Sequence, residues 1–343
     1  MQDEAARWAI EAWMFALFAP RAMVDPTHDP QTFVVAHDGR GNFESINAAL
    51  LNSPPKSRLL ICEGVYDEAL VITKPIEIVG ISTPEKVVIR NTKDPCISMQ
   101  ADHGTVRNVT LASQAWTNHQ RRVAADIPRG YLLFDNCHLT SDSLACVSVH
   151  GSHGSVILKE CRIHDSNQSG VFAWRGGTAF LENCSILRND RAGVAAVDHG
   201  YVTVRECHFY DGRHNGVFIA NGAGGAVEHC EIIRHEFPGV SMHRNEDSLV
   251  VGCVIKENRS GGLRITSNAK AVIRNCEISE NSSSGVYVSE SDSVMVADCR
   301  ISGNKGSGVV LENAARVRIQ NSDVSGNLRG DWAIGDNCNL LKT

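Results

Sequence analysis

Cysteine recurs along this chain at one phase: Cys137, Cys161, Cys184, Cys207, Cys230, Cys253, Cys276 and Cys299, with Ser322 closing the series. The first step is 24 residues and every later one is 23. Nine positions after most of them, a glycine precedes an aliphatic residue: Gly170-Val171, Gly193-Val194, Gly216-Val217, Gly239-Val240, Gly262-Leu263, Gly285-Val286 and Gly308-Val309. A phase held that long marks a solenoid, whose units bury their apolar faces only against their neighbours.

Within a unit the apolar alternation has a period of two, as in Val294, Val296, Cys299, Ile301, then Val309 and Leu311. The slip between Val296 and Cys299 is what a bend between two short strands produces. Strand-length segments separated by Gly and Asn exclude helix-pair repeats. The fold expected is all-β, a right-handed parallel β-helix of 23-residue coils with a short N-terminal helical cap. Successive coils then stack about 4.8 Å apart, and equivalent residues form columns.

Three columns are explained by packing. Asn189, Asn258, Asn281, Asn304 and Asn327 can bond amide to amide. The glycines mark a place where a Cβ or a negative φ is awkward. The cysteines are followed two residues on by Ile163, Ile186, Phe209, Ile232, Ile255, Ile278 and Ile301, so they face the same core and act as small hydrophobes. They lack the CxxC spacing of a zinc site. No metal or cofactor is expected.

Ahead of the regular coils, segments 32–36, 58–62, 69–72, 76–79 and 87–89 read as strands. Residues 43–51 have helical spacing and suit a cover for the core's open end. The organisation expected is an N-terminal helical segment at 1–30, the β-helix at 31–331 and a C-terminal cap at 332–343. Residues 112–129, which carry Trp116, His119, Arg121, Arg122 and Asp126, read as a loop insertion.

A net charge of −6 offers no global basic field for nucleic acid. The apolar stretch 8–20 is too short for a bilayer and is broken by Glu11. Asp3 and Glu4 precede it in place of a basic leader, and most of the twelve cysteines follow the repeat rather than pair. A cytoplasmic or nuclear location is the expectation.

Function is sought on outward columns. Beside the inward valines lie Phe172, Phe218, Arg264 and Tyr287; two residues further come Trp174 and His243, with Arg175, Asp198, His199 and Arg244 at the strand ends. Exposed Trp and Arg together suit recognition. The candidate binding set is Phe172, Trp174, Arg175, Phe218, His243, Arg244, Arg264 and Tyr287, with Trp116, Arg121 and Arg122 from the insertion. Carboxylates scatter over different columns (Asp165, Asp190, Asp198, Asp211, Glu231, Asp247), so no facing pair for glycoside hydrolysis is evident.

The run Thr32-Phe-Val-Val-Ala-His-Asp-Gly-Arg-Gly-Asn-Phe-Glu-Ser-Ile-Asn-Ala-Ala-Leu resembles the start of pectin methylesterases and other pectin-lyase-like β-helices. The esterase strand Asp-Phe-Ile-Phe-Gly is missing, as are the Asn-Thr-Asp and Gly-His-Gly motifs of polygalacturonases. Thr73-Lys-Pro-Ile-Glu-Ile-Val-Gly, Val87-Val-Ile-Arg-Asn-Thr-Lys-Asp and the coil pattern Val-x-Asn-Cys-x-Ile-x-x-Asn-x-x-x-Gly-Val-x-Val resemble the β-helix F-box proteins and the SHC SH2-domain-binding protein. That likeness implies a recognition module, with ubiquitin-ligase components as partners, although no F-box precedes the helix here. The leading expectation is a non-catalytic module binding a protein segment or glycan. The alternative is a carbohydrate-active enzyme (lyase, esterase or epimerase) using Arg121, Arg122 and Asp198 beside the insertion. A spacer is the third.

Overall fold

Each coil is three short strands joined by three corners, as in Thr178–Glu182, Ser185–Leu187 and Val194–Ala196, after which Tyr201–Arg205 begins the next. The computed structural model describes residues 30–114 and 122–343. The helical segment expected at 1–30 therefore falls, up to residue 29, outside the described residues, as do Trp116 and Arg121. Among the described residues the strands form three sheets of fourteen, twelve and twelve strands, parallel throughout. The first sheet runs from Thr32–Val35 to Asn339–Lys342, the second from Gly64–Asp67 to Asp323–Ser325, and the third from Leu70–Ile72 to Trp332–Ile334.

The register repeats the sequence period: Val171 pairs with Val194, Val194 with Val217, and Val217 with Val240. The corner between first and second sheets holds one residue in the left-handed region, such as Asn183 (φ 53), Asn275 (φ 54) and Asp298 (φ 54). This is the slip seen before Cys299. Asn and Asp tolerate that conformation better than most residues. The corner turns the following cysteine inward, where Cys184 Sγ lies 3.4 Å from the carbonyl oxygens of Leu158 and Glu182 and donates weakly to them. All twelve cysteines are free, and ten are buried.

The corner between second and third sheets carries the asparagine ladder. Nδ2 of Asn258, Asn281 and Asn304 each donates to Oδ1 of the asparagine one coil on, at 2.9 Å. Close approach, not a positive φ, demands the neighbouring glycines: a Cβ on Gly285 would sit 2.5 Å from Ile301 Cγ2 and 2.8 Å from the Gly308 carbonyl oxygen.

At the N-terminal end the helix Ile46–Asn52 is capped by Ser45, whose hydroxyl accepts from the Ala48 amide. It buries Ile46, Ala49 and Leu50 and packs on Thr32–Val35, Ser57–Ile61 and Leu70–Ile72, covering the first coil. Residues 332–343, set apart in sequence as a cap, instead prolong two sheets, with Trp332 pairing to Val309 and Leu340 to Val317.

The insertion needs correction. Thr110–Ser113 and Ala125–Ile127 are regular strands of the second and third sheets, so both ends of the span 112–129 belong to the coil. Asp126 therefore stands on the outer face of the third sheet and pairs with Ser148 in the next coil.

Candidate functional site

Along the third sheet, alternate side chains point inward as valine, alanine and isoleucine, and the others form an outer face. Its outward row is Asp126, Ser148, Phe172, Ala195, Phe218, Ser241, Arg264, Tyr287 and Val310 in register. A parallel row holds His150, Trp174, Ala220, His243, Thr266, Ser289 and Glu312.

Two clusters stand on this face. In the first, His150 Nε2 lies 3.1 Å from Asp126 Oδ1, and its ring is 4.9 Å from that of Trp174. Trp174 Nε1 donates to Ser148 Oγ at 3.2 Å, which holds the indole against the sheet. Phe172 stacks 6.0 Å from Trp174, and the Arg175 guanidinium sits 4.6 Å over the indole. This is a cation on an aromatic face beside an oriented imidazole. His150 Nδ1 has no protein partner among the described residues.

In the second cluster the Arg264 guanidinium lies 5.6 Å over Tyr287, whose hydroxyl donates to Glu312 Oε2 at 2.8 Å. Partial burial, with the Glu312 carboxylate accepting that hydrogen bond, raises the Tyr287 pKa. His243 Nδ1 is 3.1 Å from Thr266 Oγ1. Between the clusters the face is low, built from Ala195, Ala220 and Ser241 with Phe218 as its one ring.

Several arginines off this face are tied to carboxylates one coil away, as in Arg188 to Asp165 and Arg234 to Asp211, both at 2.7 Å, and Arg205 to Glu228 at 3.0 Å. Others, such as Arg162, Arg300 and Arg318, are exposed without an ion pair among the described residues. Arg175, Arg244 and Arg264 are exposed and have no carboxylate within ion-pair reach among the described residues. Their charge is available to an anionic ligand.

The structure thus brings Phe172, Trp174 and Arg175 together, groups His243, Arg244, Arg264 and Tyr287 further along, and leaves Phe218 between them. Arg122 does not join the face. It lies in the connection before Ala125–Ile127, where its Nε donates to the Lys93 carbonyl. Asp198 and His199 sit in a turn with φ 48 and 62; Asp198 holds the same strand-end column as Arg175 and Arg244, whose φ are 49 and 47, and therefore borders the face between the two clusters. The sequence reading does not pair Asp126 with His150, because it assigns Asp126 to the insertion at 112–129. The signal existed: Ala145-Cys146-Val147-Ser148-Val149-His150 repeats the pattern of Ser169 to Trp174, with Cys146 where glycine is expected. Among the described residues no group of three or more His, Cys, Asp or Glu is arranged to hold a metal ion, and no helix is long and apolar enough to cross a membrane.

A family model described as "Right handed beta helix region" matches residues 95–242 and 226–342. The chain belongs to the right-handed β-helix family. This β-helix is 26% identical over 172 residues to a protein named "Probable pectinesterase/pectinesterase inhibitor 23" from Arabidopsis thaliana, an overlap of 45% of this chain and 29% of the relative. The chain spans 25–29% of the length of the curated relatives it matches. Among solved structures, the A-module of the mannuronan C-5 epimerase AlgE6 of Azotobacter vinelandii has a TM-score of 0.66 at 13% identity, covering 87% of this chain and 93% of its own. The periplasmic alginate epimerase AlgG has a TM-score of 0.65 at 11% identity, covering 92% and 85%. At these identities the structural likenesses speak to the fold.

The expectation of a non-catalytic recognition module of the F-box type is corrected by these relatives. The curated ones are named as pectinesterases, which sets the carbohydrate-active alternative ahead of it. Ubiquitin-ligase partners find no support in them. The signal that misled was the generic coil pattern, which reports packing and not chemistry.

Proposed function

We propose that this β-helix is a carbohydrate-active enzyme that lays a polyuronate along the outer face of the third sheet and transfers a proton through His150. The observation that carries the reading is the contact of His150 with Asp126 at 3.1 Å, beside the Trp174 platform. The names pectinesterase and alginate epimerase, carried by a curated relative and a structural neighbour, support trying acidic polysaccharides first.

The chemistry follows from the groups present. Asp126 holds Nε2 in its protonated form, which leaves Nδ1 as the base and stabilises the imidazolium formed after proton uptake. A sugar ring that displaces the Arg175 guanidinium from the Trp174 indole brings its C5–H beside the imidazole and leaves Arg175 to meet the uronate carboxylate. His150 takes the C5 proton, and the C–H electron pair moves into the carboxylate as an enediolate that the arginine stabilises. Return of a proton from water to the opposite face of C5 gives the epimer. Alternatively the enediolate electrons form a C4=C5 double bond as the C4–O bond breaks, and the His150 imidazolium gives its proton to the departing oxygen, which cleaves the chain. The two carboxylates of the outward rows, Asp126 and Glu312, stand eight coil steps apart, about 38 Å, so they do not form the facing pair of a hydrolase, which needs about 5–10 Å.

The test is turnover of polygalacturonate, pectin and polymannuronate by the wild type and by His150→Ala and Trp174→Ala. Epimerised or unsaturated product, lost in His150→Ala, supports the reading. Full activity in that variant, or release of methanol from pectin as the sole reaction, overturns it.

A further inference from the structure

We infer that Arg264, Tyr287 and Arg244 form a distal grip that makes this β-helix select anionic chains of about six sugar units or more. This rests on the polyuronate reading of the first cluster and adds to it where the chain is held and how long it must be. Three observations carry it.

The first is spacing. His150 and Arg264 are five coil steps apart, or about 24 Å, and the face between them is low. The coil rise is close to the length of one pyranose unit in an extended polysaccharide, so a bound chain advances about one unit per coil. A ligand that engages both clusters must therefore reach from the reacting unit across four more coils to the arginine.

The second is charge. Arg244 and Arg264 lie on consecutive coils, are exposed, and lack a carboxylate partner among the described residues. A guanidinium left unpaired beside an aromatic ring is a ready site for a carboxylate whose sugar ring stacks on the tyrosine. The Glu312 acceptor orients the Tyr287 hydroxyl, which pins the ring under Arg264.

The third is shape. At the ends of the same strands a polar cleft of ≈340 Å³ is lined by Arg244, Asn245, Ser267, Asn268 and Glu290. Ser267 Oγ donates to Glu290 Oε2 at 3.2 Å within this lining, beside Arg244. Hydroxyl groups of a sugar chain find donors and acceptors there. A peptide side chain of the same charge would lack the ring for Tyr287. The two clusters then have different tasks: proton transfer at His150, chain retention at Arg264.

The test titrates the full chain by calorimetry with oligogalacturonates and oligomannuronates from dimer to decamer, with neutral oligosaccharides and polyglutamate as controls. Affinity is expected to climb steeply between trimer and hexamer and then level. Arg264→Ala should weaken hexamer binding about tenfold or more and leave trimer binding unchanged, with Arg264→Lys restoring part of the loss. Circular dichroism checks that the variants fold. Equal losses for trimer and hexamer, a flat dependence on length, or equally tight polyglutamate or neutral chains overturn the grip while trimers still bind at Trp174. Absence of binding at every length overturns the grip and the polyuronate reading together.

Discussion

His235 fills the space that Gly212 leaves empty in the preceding coil: a Cβ on Gly212 would lie 2.6 Å from His235 Nδ1. Both residues stand in the asparagine column, so the ladder is interrupted there. Asn189 Nδ2 and both ring nitrogens of His235 are buried without a satisfactory partner. The carbonyls of Phe209 and His214 face the ring, with Asp211 and Arg234 nearby, and burial pushes the His235 pKa down to about 4.

That depression makes acid sensitivity the first prediction. The unfolded chain takes up a proton near pH 6.5, whereas folded His235 resists until about 4. Stability is thus full above about 6.5 and falls as pH drops through that window, by about 3 kcal/mol for this residue. Burial also lowers the pKa of His138 and His164, so the difference between wild type and His235→Asn is the informative quantity. Urea denaturation across the window should show a shallower pH slope in the variant. Identical slopes would contradict the assignment.

An intact stretch of the ladder gives the second. Asn281 donates to Asn304 Oδ1, Ile255 O and Ser279 O, and accepts from the side chain and backbone amide of Asn258. Asn281→Ala leaves several buried groups unpaired and should cost about 2–4 kcal/mol. A loss below about 1 kcal/mol in equilibrium unfolding would mean that water satisfies the column.

Cysteine accessibility gives the third. Burial raises the Cys96 and Cys146 thiols to about 12, and the stacked cysteines are equally hidden. Cys62 and Cys338 are the two that are partly exposed. Iodoacetamide should label those two in the folded protein and the other ten only on unfolding. Rapid native labelling of Cys230 or Cys253 would show that the coils open locally.

The fourth concerns Trp174. Its ring is half-buried on the surface and outside the core, so Trp174→Ala should cost at least about 2 kcal/mol in polysaccharide binding while moving the melting temperature little. Comparable losses in both would make the ring a structural cover.

What the sequence shows and what it hides divide along physical lines. Inward columns are selected for one volume at one phase, so Cys184, Ile186, Gly193 and Val194 announce themselves by repetition. The strands expected at 58–62 and 76–79 appear as Ser57–Ile61 and Ile76–Gly80 for the same reason. Outward positions have no such constraint. Phe172, Trp174 and Arg264 follow from the valine column, whereas Asp126 and His150 do not, since Cys146 replaces the glycine that marks the coil. The Gly212–His235 exchange was equally silent, because it compensates across two coils. Which arginines are paired depends on side-chain directions that spacing does not specify.

The central claim is proton transfer by His150 on a polyuronate held at the third sheet. Its most direct measurement is incorporation of deuterium at C5 of polymannuronate or polygalacturonate in heavy water, followed by NMR with wild type and His150→Asn. The account predicts exchange or elimination with the wild type and none with the variant. Polysaccharide turnover that leaves the C5 proton in place would contradict it.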